Sequence, residues 1–217
     1  MELPADLVDQ IARAPRDPAP YLVAADFLQQ HGDPWGELIA VAHAHDRAAD
    51  PAAWRAELER CQRAIDGFAG SAYYRADWHR GVVHRITYVA WPDRSAATEL
   101  RDLLASPIAR LVRELIVVDR GAGLAAMLAT VLAARVPALR ALRLISDDGR
   151  DRLVIDRLAA RLPHLERLQL DGVVAGTLDH PRLRTVELRA PQPALTYLEL
   201  PELERLSWPV QIGRAHV

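Results

Sequence analysis

The chain has 217 residues, half of them hydrophobic and 26% charged, a balance that suits one or two soluble globular domains with a sizeable core. Its formal net charge of −2 excludes a global basic field for nucleic acid or for an anionic membrane surface. All 27 basic residues are Arg, with no Lys and no Asn, as a GC-rich genome produces; the single cysteine, Cys61, excludes an internal disulfide and fits a reducing compartment.

The first 70 residues carry helical signals. Leu3, Leu7, Val8 and Ile11 share one helical face, and Ala14-Pro15 ends it. After a loop rich in Pro and Asp, Leu22, Ala25 and Leu28 predict a helix over 21–30. His31-Gly32-Asp33-Pro34 is a stop and a restart, with Gly suited to a C-cap, Asp to an N-cap and Pro to the first helical position. Trp35, Leu38, Ile39 and Ala42 form the next stripe, and Asp50-Pro51 repeats the cap and Pro. Trp54, Leu58, Cys61, Ile65 and Phe68 then recur every three or four residues, an amphipathic helix.

From about Tyr73 the pattern changes. The phrase Pro-x-Leu-x-x-Leu-x-Leu recurs at Pro137–Leu144 and Pro163–Leu170, and with small changes at Pro181–Leu188 and Pro201–Trp208. The first apolar positions of the strand-like cores are Val83, Val112, Leu139, Leu165, Leu183 and Leu203, spaced by 29, 27, 26, 18 and 20 on subtraction. Such spacings surround the leucine-rich-repeat range of roughly 20–29 residues. The longer units leave room for helices: one with Leu100, Leu103 and Leu104, one with Met127, Leu128 and Val131, and a third with Val154, Leu158 and Leu162. The last two units are too short for one. Leu178–Leu183 aligns with Leu198–Leu203, so the 195–200 phrase is expected at the back of a loop-backed coil.

The expected fold class is therefore α/β: an N-terminal helical domain (1–72) capping a leucine-rich-repeat-like solenoid with a curved parallel sheet (73–210). The helix over 54–68 is the expected cover for the first strand. Gln211–Val217 matches the translation of a common sequencing-library adapter, so the natural sequence is expected to end near Val210, part-way through the array.

In a strand, alternate side chains point to opposite faces. With the Leu positions inward, the concave front presents Arg85 and Thr87, Glu114 and Ile116, Ala141 and Arg143, Arg167 and Gln169, Thr185 and Glu187, and Arg205 and Ser207. These form the candidate partner-binding face, since a parallel sheet seldom leaves one face bare without a use. For any single residue the alternative is a solvated face with mixed charges.

Residues with catalytic or ligating chemistry form no constellation. His43 and His45 lie two apart on a helix and point in different directions. His79 and His84 flank a strand start as surface polar groups, and Cys61 lies on an apolar stripe as an inert thiol. Asp119-Arg-Gly-Ala-Gly123 and Asp147-Asp-Gly149 have turn chemistry without the spacing of a phosphate or calcium loop. Trp35, Trp78, Trp91 and Trp208 are expected in packing. No catalytic residue, metal or cofactor is assigned.

Tyr21-Leu-Val-Ala-Ala-Asp26-Phe-Leu-Gln-Gln-His-Gly32-Asp33-Pro34-Trp-Gly36-Glu37-Leu-Ile39 resembles the signature of the bacterial repeat-companion domain, roughly Arg-Leu-Val-Tyr-Ala-Asp-Trp-Leu-Glu-Glu-Arg-Gly-Asp-Pro-Arg-Gly-Glu-Phe-Ile. Asp26, Gly32, Asp33, Pro34, Gly36 and Glu37 match; Tyr21, Ala24, Phe27 and His31 depart. Trp78-His-Arg-Gly81-Val-Val resembles the segment often found before the repeats. The resemblance covers about residues 1–90 and implies a helical companion of leucine-rich or similar repeats, as in large paralogous sets of myxobacteria and planctomycetes. That family has no established activity. The matched Asp, Gly and Pro imply caps and turns, with Asp26 and Glu37 pairing with Arg.

The resulting expectation is a cytoplasmic, non-enzymatic protein that binds a protein partner through its repeats, with no nucleic acid and no membrane. The alternatives are a regulatory or effector module whose helical part binds a second partner, and an enzyme.

Overall fold

A computed structural model describes residues 3–50, 52–65, 73–92, 95–147, 149–189 and 194–208. Phe68, the expected boundary after residue 72, and residues 211–217 lie outside these. Four helices come first: α1 (Ala5–Arg13), α2 (Ala19–Gln30), α3 (Pro34–Arg47) and α4 (Ala52–Ala64). Leu7, Val8 and Ile11 bury the apolar face of α1. The Asp33 carboxylate accepts from the Trp35 N–H at 3.1 Å and caps α3, with Pro34 in the first turn, as the residue order predicts. Asp50 accepts from Ala52 N at 3.0 Å and opens α4 in the same way. Gly36 lets α2 and α3 cross closely: a Cβ there would stand 2.6 Å from the Ala25 carbonyl oxygen.

The remainder runs β1 (Tyr74–His79), β2 (Val82–Ala90), α5 (Ala96–Ala105), β3 (Glu114–Asp119), α6 (Leu124–Ala133), β4 (Ala141–Ser146), β5 (Arg152–Val154), α7 (Leu158–Arg161), β6 (Arg167–Leu170), β7 (Val173–Asp179), β8 (Thr185–Leu188), β9 (Ala194–Glu199) and β10 (Arg205–Ser207). One sheet is ordered β1-β2-β3-β4-β6-β8-β10, antiparallel at β1–β2 and parallel throughout the rest. A second, three-stranded parallel sheet is ordered β5-β7-β9. Neither sheet is closed. The protein is thus a mixed α/β structure with helices and a mostly parallel sheet.

Register follows the sequence period. Arg85, Glu114, Ala141, Arg167, Thr185 and Arg205 pair successively across β2, β3, β4, β6, β8 and β10, which reproduces the spacings 29, 27, 26, 18 and 20 on subtraction. The alternate positions Leu115, Val117, Leu142, Leu144, Leu168, Leu170, Val186 and Leu188 are all buried in one continuous core. Leu100, Leu104, Met127, Leu128 and Val131 join that core from α5 and α6, which cover the sheet behind β2–β4.

Four expectations are corrected. The third helix, expected through Val154, Leu158 and Leu162, shrinks to the single turn α7 that follows β5. Leu153 and Ile155 are fully buried while Val154 between them is exposed, the two-residue period of a strand. The later coils, expected to be loop-backed, are backed by β7 and β9; their backbone groups find partners by pairing sideways, Leu178 with Leu198 and Asp179 with Glu199. The first parallel strand is flanked by β1, whose half-buried residues lack the apolar alternation that marks the other strands. The helix that meets β2 is α3, and α4 packs on α3 with Trp54 38% exposed.

The junction between helices and sheet explains the Trp78–Gly81 segment. Trp78 stacks on Trp35 with ring centroids 5.7 Å apart. His79 Nε2 lies 3.2 Å from the Pro15 carbonyl oxygen, and Arg80 donates to the Arg16 carbonyl at 2.9 Å while lying over the Tyr21 ring. Gly81 has φ +75°, and a Cβ there would meet the Ile39 Cα at 2.6 Å. Asp33, besides capping α3, pairs with Arg110 at 2.9 Å in the turn before β3. Further along, His180 is fully buried: its Nε2–H donates to the Leu162 carbonyl at 2.9 Å, and Nδ1 accepts from Arg182 N–H at 3.2 Å.

Two outcomes follow. Gly81→Ala combines a left-handed backbone with a steric clash and lowers stability by about 1–3 kcal/mol, measured by urea denaturation. Burial pushes the His180 imidazole below its ordinary pKa, with Leu162 and Asp179 opposing, and His84 is lowered for the same leading reason. The unfolded chain therefore takes up protons at a higher pH than the folded chain, and stability falls as pH drops below about 6.5. A Tm measured between pH 7.5 and 5.5 declines, and His180→Gln, though less stable at pH 7.5, declines less.

Candidate interaction face

The strand register brings the sequence-derived candidates into two rows on the sheet face opposite α5 and α6. One row is Arg85, Glu114, Ala141, Arg167, Thr185 and Arg205; the next is Thr87, Ile116, Arg143, Gln169, Glu187 and Ser207. They alternate with the buried Leu and Val positions, so all lie on one face of the sheet, where Ala141 and Gln169 are themselves buried. The rows span six parallel strands spaced roughly 4.8 Å apart.

Several of these groups hold each other. Arg85 pairs with Glu114 at 2.7 Å and reaches Asp77 on β1 at 3.4 Å, and its guanidinium pKa is raised first by the Glu114 hydrogen bond. Arg143 Nε donates to Gln169 Oε1 at 2.8 Å. Arg189 Nε donates to Glu187 at 2.8 Å. Arg167 and Arg205 are exposed and enter no side-chain hydrogen bond or ion pair among the described residues. The face therefore has an internally neutralised end at β1–β3 and available guanidinium groups toward β6–β10.

A third row was missed by the sequence reading. Val89, Val118 and Ile145 pair in register one step beyond the second row, and the ladder continues through Asp171 N to Leu144 O and Arg189 N to Leu170 O. The signal was the same alternation carried two residues further, from Gln169 to Asp171 and from Glu187 to Arg189. This row turns from apolar at β2–β4 to charged at β6–β8.

Residues weighed for other chemistry occupy structural positions. His43 and His45 are half-buried on α3, and His45 lies 3.7 Å from Asp46. His79 and His84 pack edge to face, 5.9 Å apart, at the helix–sheet junction; His84 is half-buried with Nδ1 unpaired, where surface positions were expected. The Asp119 carboxylate accepts from the backbone N–H groups of Gly121, Ala122 and Gly123 and so holds the turn into α6. Trp91 and Trp208 are 45% and 38% exposed, a departure from the packing role expected of them. Glu37 pairs with Arg60 as the resemblance implied, while Asp26 is exposed and outside any ion pair among the described residues.

The Glu37, Glu57 and Cys61 ligand atoms lie within 4.8 Å of one another. Arg60 serves as their cation: its Nη2 stands 2.7 Å from each carboxylate and 3.5 Å from the Cys61 sulfur. Burial pushes the Cys61 thiol pKa up, Glu37 adds to this, and Arg60 offsets it only in part.

No protein-family model, curated protein or solved structure matches the chain.

Because the thiolate is the reactive form, Cys61 in the folded protein alkylates with iodoacetamide at pH 7.5 at least about tenfold more slowly than in the urea-unfolded chain, followed by mass spectrometry.

Proposed function

We propose that this chain is a non-enzymatic interaction scaffold that binds an acidic segment of a protein partner. The binding surface is the front of an open leucine-rich-repeat-like solenoid, capped at one end by the helices of a repeat-companion domain. The observation that carries the reading is the unbroken parallel register of six strands, which lines up one outward residue per repeat in each row. Stacked repeats with rows of this kind characteristically present extended binding surfaces. The resemblance of residues 21–39 and 78–83 supports the helical part as a companion domain. Apart from Asp26, the matched residues act in caps, helix crossings, the helix–sheet junction and an ion pair, consistent with a cap.

Acidic partners fit because Arg167 on β6 and Arg205 on β10, in one row on either side of β8, enter no ion pair among the described residues, and Arg pairs with carboxylates through two parallel hydrogen bonds. A cytoplasmic site of action goes with the lone reduced cysteine.

Panning a displayed peptide library against the folded protein tests the reading. The expected result is a consensus with two or more acidic residues, whose binding falls at least about tenfold in the Arg167→Glu, Arg205→Glu double variant while the fold is retained. Selection of no consensus, or a consensus indifferent to the double variant, overturns it.

A further inference from the structure

The parallel ladder begins one residue before each strand. Arg140 N donates to the Arg113 carbonyl at 2.8 Å, and the Glu166 and Arg167 N–H groups donate to the Arg140 carbonyl at 2.8 and 2.9 Å. Arg113, Arg140 and Glu166 thus stand side by side at the N-terminal ends of β3, β4 and β6, with Arg167 next in the chain. Glu166 is taken up by Arg140. Arg113 is half-buried, and its guanidinium enters no hydrogen bond or ion pair among the described residues. Its Nε is fully buried without a partner, while its Nη groups, equally without one, keep accessible surface. Charges withdrawn from water in native proteins are nearly always paired, so a half-buried guanidinium held among like charges, with its Nη groups open, marks the place of a missing anion.

The surroundings narrow that anion. Burial lowers the Arg113 pKa, Arg140 and Arg167 lower it further, and Tyr21 and Glu166 oppose them only in part. Tyr21, on α2, donates its hydroxyl to the Pro15 carbonyl at 3.2 Å and supplies no counter-ion. Asp9 of α1, which reaches the turn before β6, is engaged by Arg13 and His164. Three guanidinium groups against the single Glu166 carboxylate leave two positive charges. One carboxylate would neutralise half of that excess. A phosphate monoester carries about 1.5 to 2 negative charges at pH 7 and three strong acceptor oxygens, which can meet more than one guanidinium at once.

We propose that Arg113, Arg140 and Arg167 form a site for a phosphate dianion, offered by a phosphorylated side chain or by a small phosphate compound. The Arg113 Nη groups donate to the phosphate, exposed Arg167 adds a second guanidinium, and Arg140, tied to Glu166, contributes its charge to the field around them. Arg167 also belongs to the partner-binding row, but Arg113 and Arg140 lie outside both rows and the site requires no acidic partner segment. Its failure therefore leaves the partner-binding reading standing.

NMR titration of the ¹⁵N-labelled full chain at pH 7.5 tests it, with inorganic phosphate, phenyl phosphate, N-acetyl-phosphoserine amide, dimethyl phosphate and acetate as probes. Ionic strength is held constant, because salt screens the attraction. The expected result is saturable shifts of the Arg113 Nε–H and of the Arg140 and Arg167 amides with the dianionic phosphates, at roughly millimolar concentration. Dimethyl phosphate and acetate, each singly charged, bind at least about tenfold more weakly. Arg113→Gln weakens binding of the dianions by at least about tenfold. Tighter binding of N-acetyl-phosphoserine amide than of inorganic or phenyl phosphate identifies a phosphorylated side chain as the source; equal or weaker binding identifies a small phosphate compound. The proposal falls if no dianionic phosphate binds, if dimethyl phosphate or acetate binds equally well, or if Arg113→Gln leaves affinity unchanged. Should Arg113→Gln not fold, the comparison of phenyl phosphate with dimethyl phosphate on the unaltered protein decides.

Discussion

The structure depends on the stacking of buried aliphatic side chains from equivalent positions of successive strands. Leu115, Leu142, Leu168 and Val186 stand in register, as do Val117, Leu144, Leu170 and Leu188. Each is almost fully buried, and each covers the next. A one-residue slip of any strand would turn its apolar set to the outer face and break both rows. The same constraint that secures the core thus secures the spacing of Arg, Glu, Thr and Gln on the opposite face. Order on the surface is a by-product of order inside.

The helices are bound to this array through small, specific contacts. Trp35 against Trp78, Gly81 against Ile39 and Asp33 against Arg110 join α3 to the sheet and to the turn before β3. Asp33 serves two purposes, capping a helix and pairing across the junction. That economy accounts for the short Gly-Asp-Pro segment far better than any chemical role does.

Much of this was legible in the residues. The period of Pro-x-Leu-x-x-Leu-x-Leu exposes strand positions because core spacing and strand alternation speak through the same Leu residues. Asp33-Pro34 and Asp50-Pro51 mark helix starts because capping is local. What stayed hidden depends on neighbours distant in sequence. β7 and β9 are strands because each finds a parallel partner about 20 residues away in the chain, which no local pattern in Val173–Asp179 announces. His180 carries no local signal of burial, and only its hydrogen bond to Leu162 shows it as a buried link between segments distant in sequence.

The change of backing from helices to strands has a mechanical consequence. Packed helices need about 8–10 Å between axes, whereas strands sit about 4.8 Å apart. Behind β2–β4, α5 and α6 lie against each other and need more width than the strands they cover, a mismatch that favours bending about an axis along the strands. Behind β6–β10, strand is backed by strand and the two spacings agree, so that mismatch is absent. One face therefore answers to two different spacings behind it. The choice of backing element thus makes the two portions of the face mechanically different, a distinction that the outward residues themselves do not encode.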